Sequence, residues 1–156
     1  MYLGLESGSD RVLESIDKGT TVEKIVKVSE MVYDSGIPSV TSVLLGLPGE
    51  GKEDVEETLK LMRKIKTDLF DVNTFVPIPG TRSYDEMSEA DRRNIDWKKV
   101  GFKSFESHFS STIPLDDFNG YRSEAFKTAN NLRIKTIIRF GTRMFFQSCA
   151  NMFKRS

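Results

Sequence analysis

The stretch Gly46-Leu47-Pro48-Gly49-Glu50-Gly51-Lys52 ends an apolar run and opens an acidic helical pattern. It follows the phosphate-binding pattern G-x-x-x-x-G-K-[ST] up to the last position, where Glu53 stands instead of a hydroxyl residue. In that pattern the loop amides and the lysine hold phosphates, and the hydroxyl holds Mg²⁺. Glu53 and Glu50 put carboxylates where the phosphates would lie, and no later strand ends convincingly in a metal-holding aspartate. A degenerate nucleotide-binding loop is therefore the weakest reading, and a tight strand-to-helix turn is the plain one. Two further turns carry polar or rigid groups. Glu6 and Ser7 follow YLGLE, where a carboxylate can accept hydrogen bonds from hydroxyls or an ammonium. Pro77, Pro79, Gly80 and Thr81 end another apolar run, and proline there makes a rigid rim without an amide donor. Read without a ligand, the first is a helix-capping turn and the second the end of an edge strand.

The elements that position these turns alternate. An apolar run at 2–6 precedes a helix through about residue 19, started by Ser9 or Asp10 and stopped at Gly19. Thr21 starts a second helix that Gly36 closes, with Val22, Ile25, Val26, Met31 and Val32 near helical spacing. Residues 38–47 are β-branched and nearly continuously apolar, as in a buried parallel strand. Residues 52–67 predict a helix with an acidic first turn and a basic last turn, 69–80 a third strand, and 81–93 a short helix. Strands alternating with helices predict a parallel sheet of βα units with right-handed crossovers. Only three units are present, whereas a closed eight-unit barrel needs roughly 200 residues or more. The first strand then leaves an open edge suited to pairing or self-association. Residues 91–122 are aromatic and aperiodic and read as a wrapping segment. Residues 123–153 read as one or two helices broken near Gly141.

Composition narrows the classes further. The chain has 156 residues, 38% apolar and 29% charged, which describes an ordinary globular protein of one domain, with or without a helical tail. No stretch reaches the roughly 18 apolar residues of a membrane span. The start lacks a basic, apolar leader, so the expected location is cytoplasmic. The net charge of zero hides an asymmetry: from Tyr121 onward eight cations face one acid, about +7, and the first 120 residues carry the opposite excess. Such a tail suits nucleic acid, an anionic membrane surface, an acidic partner, or packing back on the acidic body. Core packing accounts for its aromatics, Phe118, Tyr121, Phe126 and Phe140, better than nucleic-acid binding does. Cys149 is the only cysteine. One thiol rules out an internal disulfide and a cysteine-held iron–sulfur or zinc site built by this chain alone, and Cys149 reads as a helix-packing thiol. His108 is the only histidine and reads as a surface or hydrogen-bonding group.

Taken in order, LGLESGSDRVLESIDKG, SVLLGLPGEGKEDVEETLKLM and VNTFVPIPGTRSYDEM resemble the later half of a radical S-adenosylmethionine (SAM) catalytic domain. The nearest likeness is to the subgroup whose members often carry an upstream cobalamin-binding domain, with methylthiotransferases more distant. The resemblance is strong over residues 1 to about 85 and looser into the tail. It implies the last three units of a (β/α)₆ barrel in residues 1–90, followed by a wrapping segment and basic helical tail in 91–156. It also implies that Glu6 and Ser7 face the ribose and amino-acid part of SAM. Gly46, Leu47, Pro48, Gly49 and Glu50 would border the adenine, and backbone groups beside Pro77, Pro79 and Gly80 would recognise it. The superfamily pattern G-x-I-x-G-x-x-E is imperfect here: Ser42 holds its first glycine position and Glu50 falls one place late. Gly51 stands where relatives commonly have threonine, which removes a helix cap.

Radical SAM chemistry also needs a 4Fe-4S cluster on three cysteines spaced C-x-x-x-C-x-x-C, which coordinates SAM and delivers the electron that cleaves it. That motif is absent from this sequence. The expected function is thus a truncated or split radical SAM enzyme, inactive alone, with a possible cobalamin-using parent and a partner carrying the first half-barrel and its cysteines. The alternative is a non-catalytic assembly module pairing through its open sheet edge.

Overall fold

The computed structural model describes the backbone of residues 1–109 and 112–153 and the side chains of residues 1–109, 112–138, 140 and 141. Three strands, β1 (Tyr2–Glu6), β2 (Val40–Leu45) and β3 (Leu69–Thr74), form one parallel sheet in the order β1-β2-β3. Helices α1 (Asp10–Ser15) and α2 (Val22–Asp34) link β1 to β2, and α3 (Lys52–Met62) links β2 to β3. Two short helices follow, α4 (Arg82–Asp85) and α5 (Glu89–Arg93), and then one long helix, α6 (Leu115–Phe153). The result is a partial, unclosed (β/α) barrel with a helical extension, as the alternating pattern predicts.

The period of two sorts the strands. Thr41, Val43 and Leu45 of β2 are buried, while Val40, Ser42 and Leu44 are half-buried on the other face. Register places Val43 beside Val72 and Leu45 beside Thr74, so the buried face is continuous. Leu5, Leu13, Val55, Leu59, Ile113, Phe118 and Ala125 complete the core against it. On the opposite face Gly4, Ser42 and Asp71 lie in register, a polar row.

The sheet's two edges differ. β3 is covered by the chain that follows it: the Thr74 amide donates to the Phe102 carbonyl (2.7 Å), Lys103 Nζ bonds the Val72 carbonyl, and Thr136 Oγ1 donates to the Asp68 carbonyl (2.6 Å). β1 carries β2 on one side and, among the described residues, no strand on the other.

Several boundaries depart from the sequence reading: α1 stops at Ser15 rather than near Gly19, β3 ends at Thr74 rather than near 80, and 81–93 holds two short helices rather than one. α3 stops at Met62 rather than near 67, because Thr67 and Asp68 are recruited beneath β2. Thr41 Oγ1 donates to Thr67 Oγ1 (2.9 Å) and the Ser39 amide donates to Asp68 Oδ2 (2.8 Å), which forces an early turn. Helix α6 starts at Leu115, inside the stretch expected to be irregular, and runs through Gly141 without a break. A lone glycine costs about 1 kcal/mol in a helix, too little to stop one that is fixed by packing. Cys149 lies outside the described side chains, so its helix-packing reading is not tested. Among the described residues no helix is long and apolar enough to cross a membrane.

Candidate functional site at the strand ends

The turn after β2 is held from within. Gly46 and Gly49 have φ of +81° and +72°, conformations glycine adopts without a Cβ penalty. Glu50 is fully buried and folds back so that the Gly46 amide donates to its Oε2 at 2.6 Å. Its Oε1 has no hydrogen-bond partner. Burial pushes the Glu50 carboxyl up to about 7, against the opposing pull of the Gly46 and Leu47 amides. The carboxylate therefore occupies the place where a phosphate-binding loop would hold its anion. Lys52 turns away to pair with Asp117 on α6. These two facts count against the nucleotide-loop reading.

The helix that follows is capped without a side chain at its N-cap. Gly51 supplies none, and Asp54 reaches back to accept from the Gly51 amide (2.8 Å). Asp54 also accepts from Ser9 Oγ (2.7 Å) and pairs with Arg11. Desolvation pushes the Asp54 carboxyl up, but the bonds from Arg11, Ser9 and Gly51 outweigh it and hold it below the usual range. Ser9, expected as a cap for α1, is thus spent on joining the first turn to the second. Arg11 adds a bond to the Gly49 carbonyl (2.9 Å).

Glu6 ends β1 at a register shift and sits at φ +62°, an uncommon conformation for a residue with a Cβ. Its carboxylate pairs with Lys18 (3.0 Å) and accepts from Ser42 Oγ (3.5 Å), on the polar face of the sheet. Ser7 is fully buried against Thr58 Oγ1 (3.3 Å) and accepts from the Ser9 amide, so its hydroxyl is committed to the turn itself.

The second and third turns meet. Pro48 and Gly49 line one side of an open hollow of about 210 Å³, and Pro77 and Phe75 line another, with Met87 and Phe109 among its remaining walls. Gly49 has open space where a Cβ would stand, so the backbone is accessible there. Leu47 and Pro77 are buried, while Pro79 and Gly80 are exposed and do not line the hollow. Glu6 and Ser7 do not line it either. Phe109, Met87 and Phe75 escaped the sequence reading. Phe75 could have been found, because it stands beside Pro77 in a run that must face the strand end. Phe109 comes from the aperiodic segment and carries no local signal.

His108 is a hydrogen-bonding histidine: Nε2 lies 2.8 Å from the Ile113 carbonyl and the ring packs on Phe118 at 5.3 Å. Among the described residues, no three His, Cys, Asp or Glu side chains gather into a metal-binding group. The donor set does not fit a 4Fe-4S cluster, since the whole sequence holds one thiol.

Comparison with known proteins agrees with the order of the motifs. Residues 1–62 match the model of the radical SAM superfamily. An uncharacterized methyltransferase of Pyrococcus horikoshii is 34% identical over 85 residues, 54% of this chain and 18% of that protein. A tRNA-2-methylthio-N(6)-dimethylallyladenosine synthase of Aquifex aeolicus is 30% identical over 125 residues, 72% of this chain and 28% of that protein. The threonylcarbamoyladenosine tRNA methylthiotransferase of Mus musculus is 28% identical over 137 residues, 86% of this chain and 23% of that protein. The chain thus spans less than a third of the length of each of these relatives. With its three βα units, its ordered strand-end turns and these matches, the chain is linked to the radical SAM superfamily.

Proposed function

We propose that residues 1–90 form the carboxyl-terminal half of a radical SAM barrel and supply its SAM-facing strand ends, while the cluster thiolates come from outside these 156 residues. The observation that carries this reading is the hollow between Pro48–Gly49 and Pro77, where two turns far apart in sequence make one apolar wall. Phe75, Met87 and Phe109 give it apolar surface that an adenine ring can pack against, beside the polar Ser83 and Glu86. Gly49 leaves its backbone open to the ring edge. Glu6, beside Lys18 and Ser42, would take the ribose hydroxyls or the ammonium. The role of Glu50 in this reading is to hold the loop in shape from behind. The chain after the barrel units walls the site through Phe109, which lines the hollow, and Phe118, which backs the turn.

SAM supplies the activated carbon–sulfur bond of this chemistry; these residues bind and orient it. No step is assigned to an iron–sulfur cluster, whose ligands this sequence lacks. The relatives' names point to methyl or methylthio transfer, and a tRNA base is the substrate class they suggest. The cobalamin-associated subgroup rests on the form of the loop, GLPGE, alone. The partner is a polypeptide segment bearing the first half-barrel and its cysteines, seated along β1.

Calorimetric titration of the chain with SAM, alongside Mg²⁺–ATP, tests the reading. Saturable SAM binding that weakens on Glu6→Ala supports it, and ATP binding without SAM binding overturns it. Coexpression with a cysteine-bearing first half should then yield bound iron; a complex without iron would sink the split-enzyme idea. The second reading, a non-catalytic assembly module, is favoured by one observation, the uncovered edge of β1. It expects a stable oligomer indifferent to SAM.

A further inference from the structure

Helix α6 packs on the body through one stripe. Phe118, Arg122, Ala125 and Thr136 are buried on it, and Thr136 is the last buried residue of the helix among the described side chains. Its hydroxyl is fixed to the Asp68 carbonyl, which sets the rotation of the helix at that point. Ile134 and Ile137 flank Thr136 on the far side and are 58% and 62% exposed. With Ile138, 61% exposed beside them, they form a contiguous aliphatic patch on the face turned from the body, and contiguous patches mark contact surfaces.

Charge and the aliphatic patch together narrow the occupant. After Glu124 the sequence contains no acidic residue and seven lysines and arginines. Arg133 and Lys135 are exposed next to the isoleucines, and neither pairs with a carboxylate among the described residues. The helical backbone continues to Phe153, a further 16 residues beyond Ile137, or about 24 Å of helix. A second copy of α6 would bring cations against cations. Nucleic acid would use the cations and leave the isoleucines in water. An aliphatic face flanked only by cations matches an anionic lipid surface, where acyl chains take the apolar side and headgroups take the charge. We propose that the carboxyl-terminal part of α6 is an interfacial anchor that lays the protein on anionic membranes without crossing them.

Flotation of the full chain with vesicles tests this. Vesicles of phosphatidylcholine with phosphatidylglycerol should carry the protein, and vesicles of phosphatidylcholine alone should not. The double variant Ile134→Asn/Ile137→Asn should lower binding by about tenfold or more through lost acyl contact. Arg133→Gln/Lys135→Gln should lower it by a similar factor and reduce its dependence on salt. All three proteins should keep the same circular dichroism and melting behaviour, since the changed positions face water. Failure of the unaltered chain to float overturns the proposal, as does floating that ignores the isoleucine change. Binding of an oligonucleotide that survives the isoleucine change, without vesicle binding, would assign the tail to nucleic acid instead. An oligomer that the isoleucine change dissociates, again without vesicle binding, would assign the face to a second copy.

Discussion

The ring of Phe118 lies over Gly46 so closely that a Cβ built on that glycine would fall 2.8 Å from Cζ. A residue of the long carboxyl-terminal helix therefore sets the height of a turn 72 positions earlier in the chain. Gly46→Ala would meet two penalties, the positive φ and the ring. The expected loss is about 2–4 kcal/mol, read from chemical unfolding. Made in a Phe118→Leu background, Gly46→Ala should cost only the backbone part of roughly 1 kcal/mol beyond what Phe118→Leu itself costs.

Glu50 should make stability depend on pH in an uncommon direction. Its carboxyl is raised by burial to about 7 in the folded chain, above the ordinary 4.5 of the unfolded one. The folded state therefore holds the extra proton between those values, and stability falls as pH rises from about 4.5 to 7, then levels off. The span is on the order of 3 kcal/mol. Urea melts across that window should show the slope, and Glu50→Gln should flatten it. Asp71 acts in a different window. Lys103 first, and then the Tyr2 hydroxyl, hold its carboxyl at about 2, so its contribution is present above the unfolded value and is lost as pH falls from there toward 2. Lys103 is half exposed, so that contribution stays below about 1 kcal/mol.

Arg122 should resist conservative replacement. Its guanidinium is fully buried, lies 4.4 Å from the Phe105 ring and bonds the carbonyls of Ser104 and Ser107, with no carboxylate paired to it among the described residues. Desolvation holds its pKa below the ordinary arginine value. Arg122→Lys keeps the charge and loses the planar fork that reaches both carbonyls. A loss of about 2–4 kcal/mol is expected for Lys, with Met no worse, because Met removes the buried charge along with its bonds. Thermal unfolding of the two variants side by side checks the order.

Glu6→Gly separates fold from ligand. Glycine relieves the positive φ at this strand end but adds freedom to the unfolded chain and removes the partly exposed pair with Lys18. These effects nearly cancel, and stability should move by less than about 1 kcal/mol. SAM affinity should nevertheless fall, as it would for Glu6→Ala. Equal loss of both properties would make Glu6 a structural residue.

Short-range signals were readable wherever one residue type imposes one conformation. Gly36 takes positive φ at the helix stop expected of it, and Thr21 caps α2 through the Lys24 amide, whereas α1 already ends at Ser15 with Asp17 in the left-handed region ahead of Gly19. Alternating burial along 40–45 likewise follows from composition. Misreadings occurred where distant residues decide. Thr67 reads as the end of a helix until Ser39 and Thr41 claim it. Leu115-Asp116-Asp117 had the acidic first turn of a helix, behind Pro114, but Gly120 obscured the start. At the site, the meeting of Pro48 with Pro77 could be inferred from two strand ends being neighbours, whereas Phe109 and Phe118 arrive through packing that no local spacing encodes.

The unequal edges of the sheet give the molecule a valence of one. Strand addition at β3 meets Phe102 and Lys103 already bonded to its Thr74 amide and Val72 carbonyl, and Thr136 bonded to the Asp68 carbonyl just before it. On the outer side of β1 no strand lies among the described residues. Head-to-tail stacking of copies, which needs both edges, is blocked, so strand pairing cannot propagate into a filament. Two copies joining through β1 would have to run antiparallel about a two-fold axis, and each would then use up the other's β1 edge. The same edge is where a cysteine-bearing half would dock, so self-pairing and enzyme assembly compete for one seat.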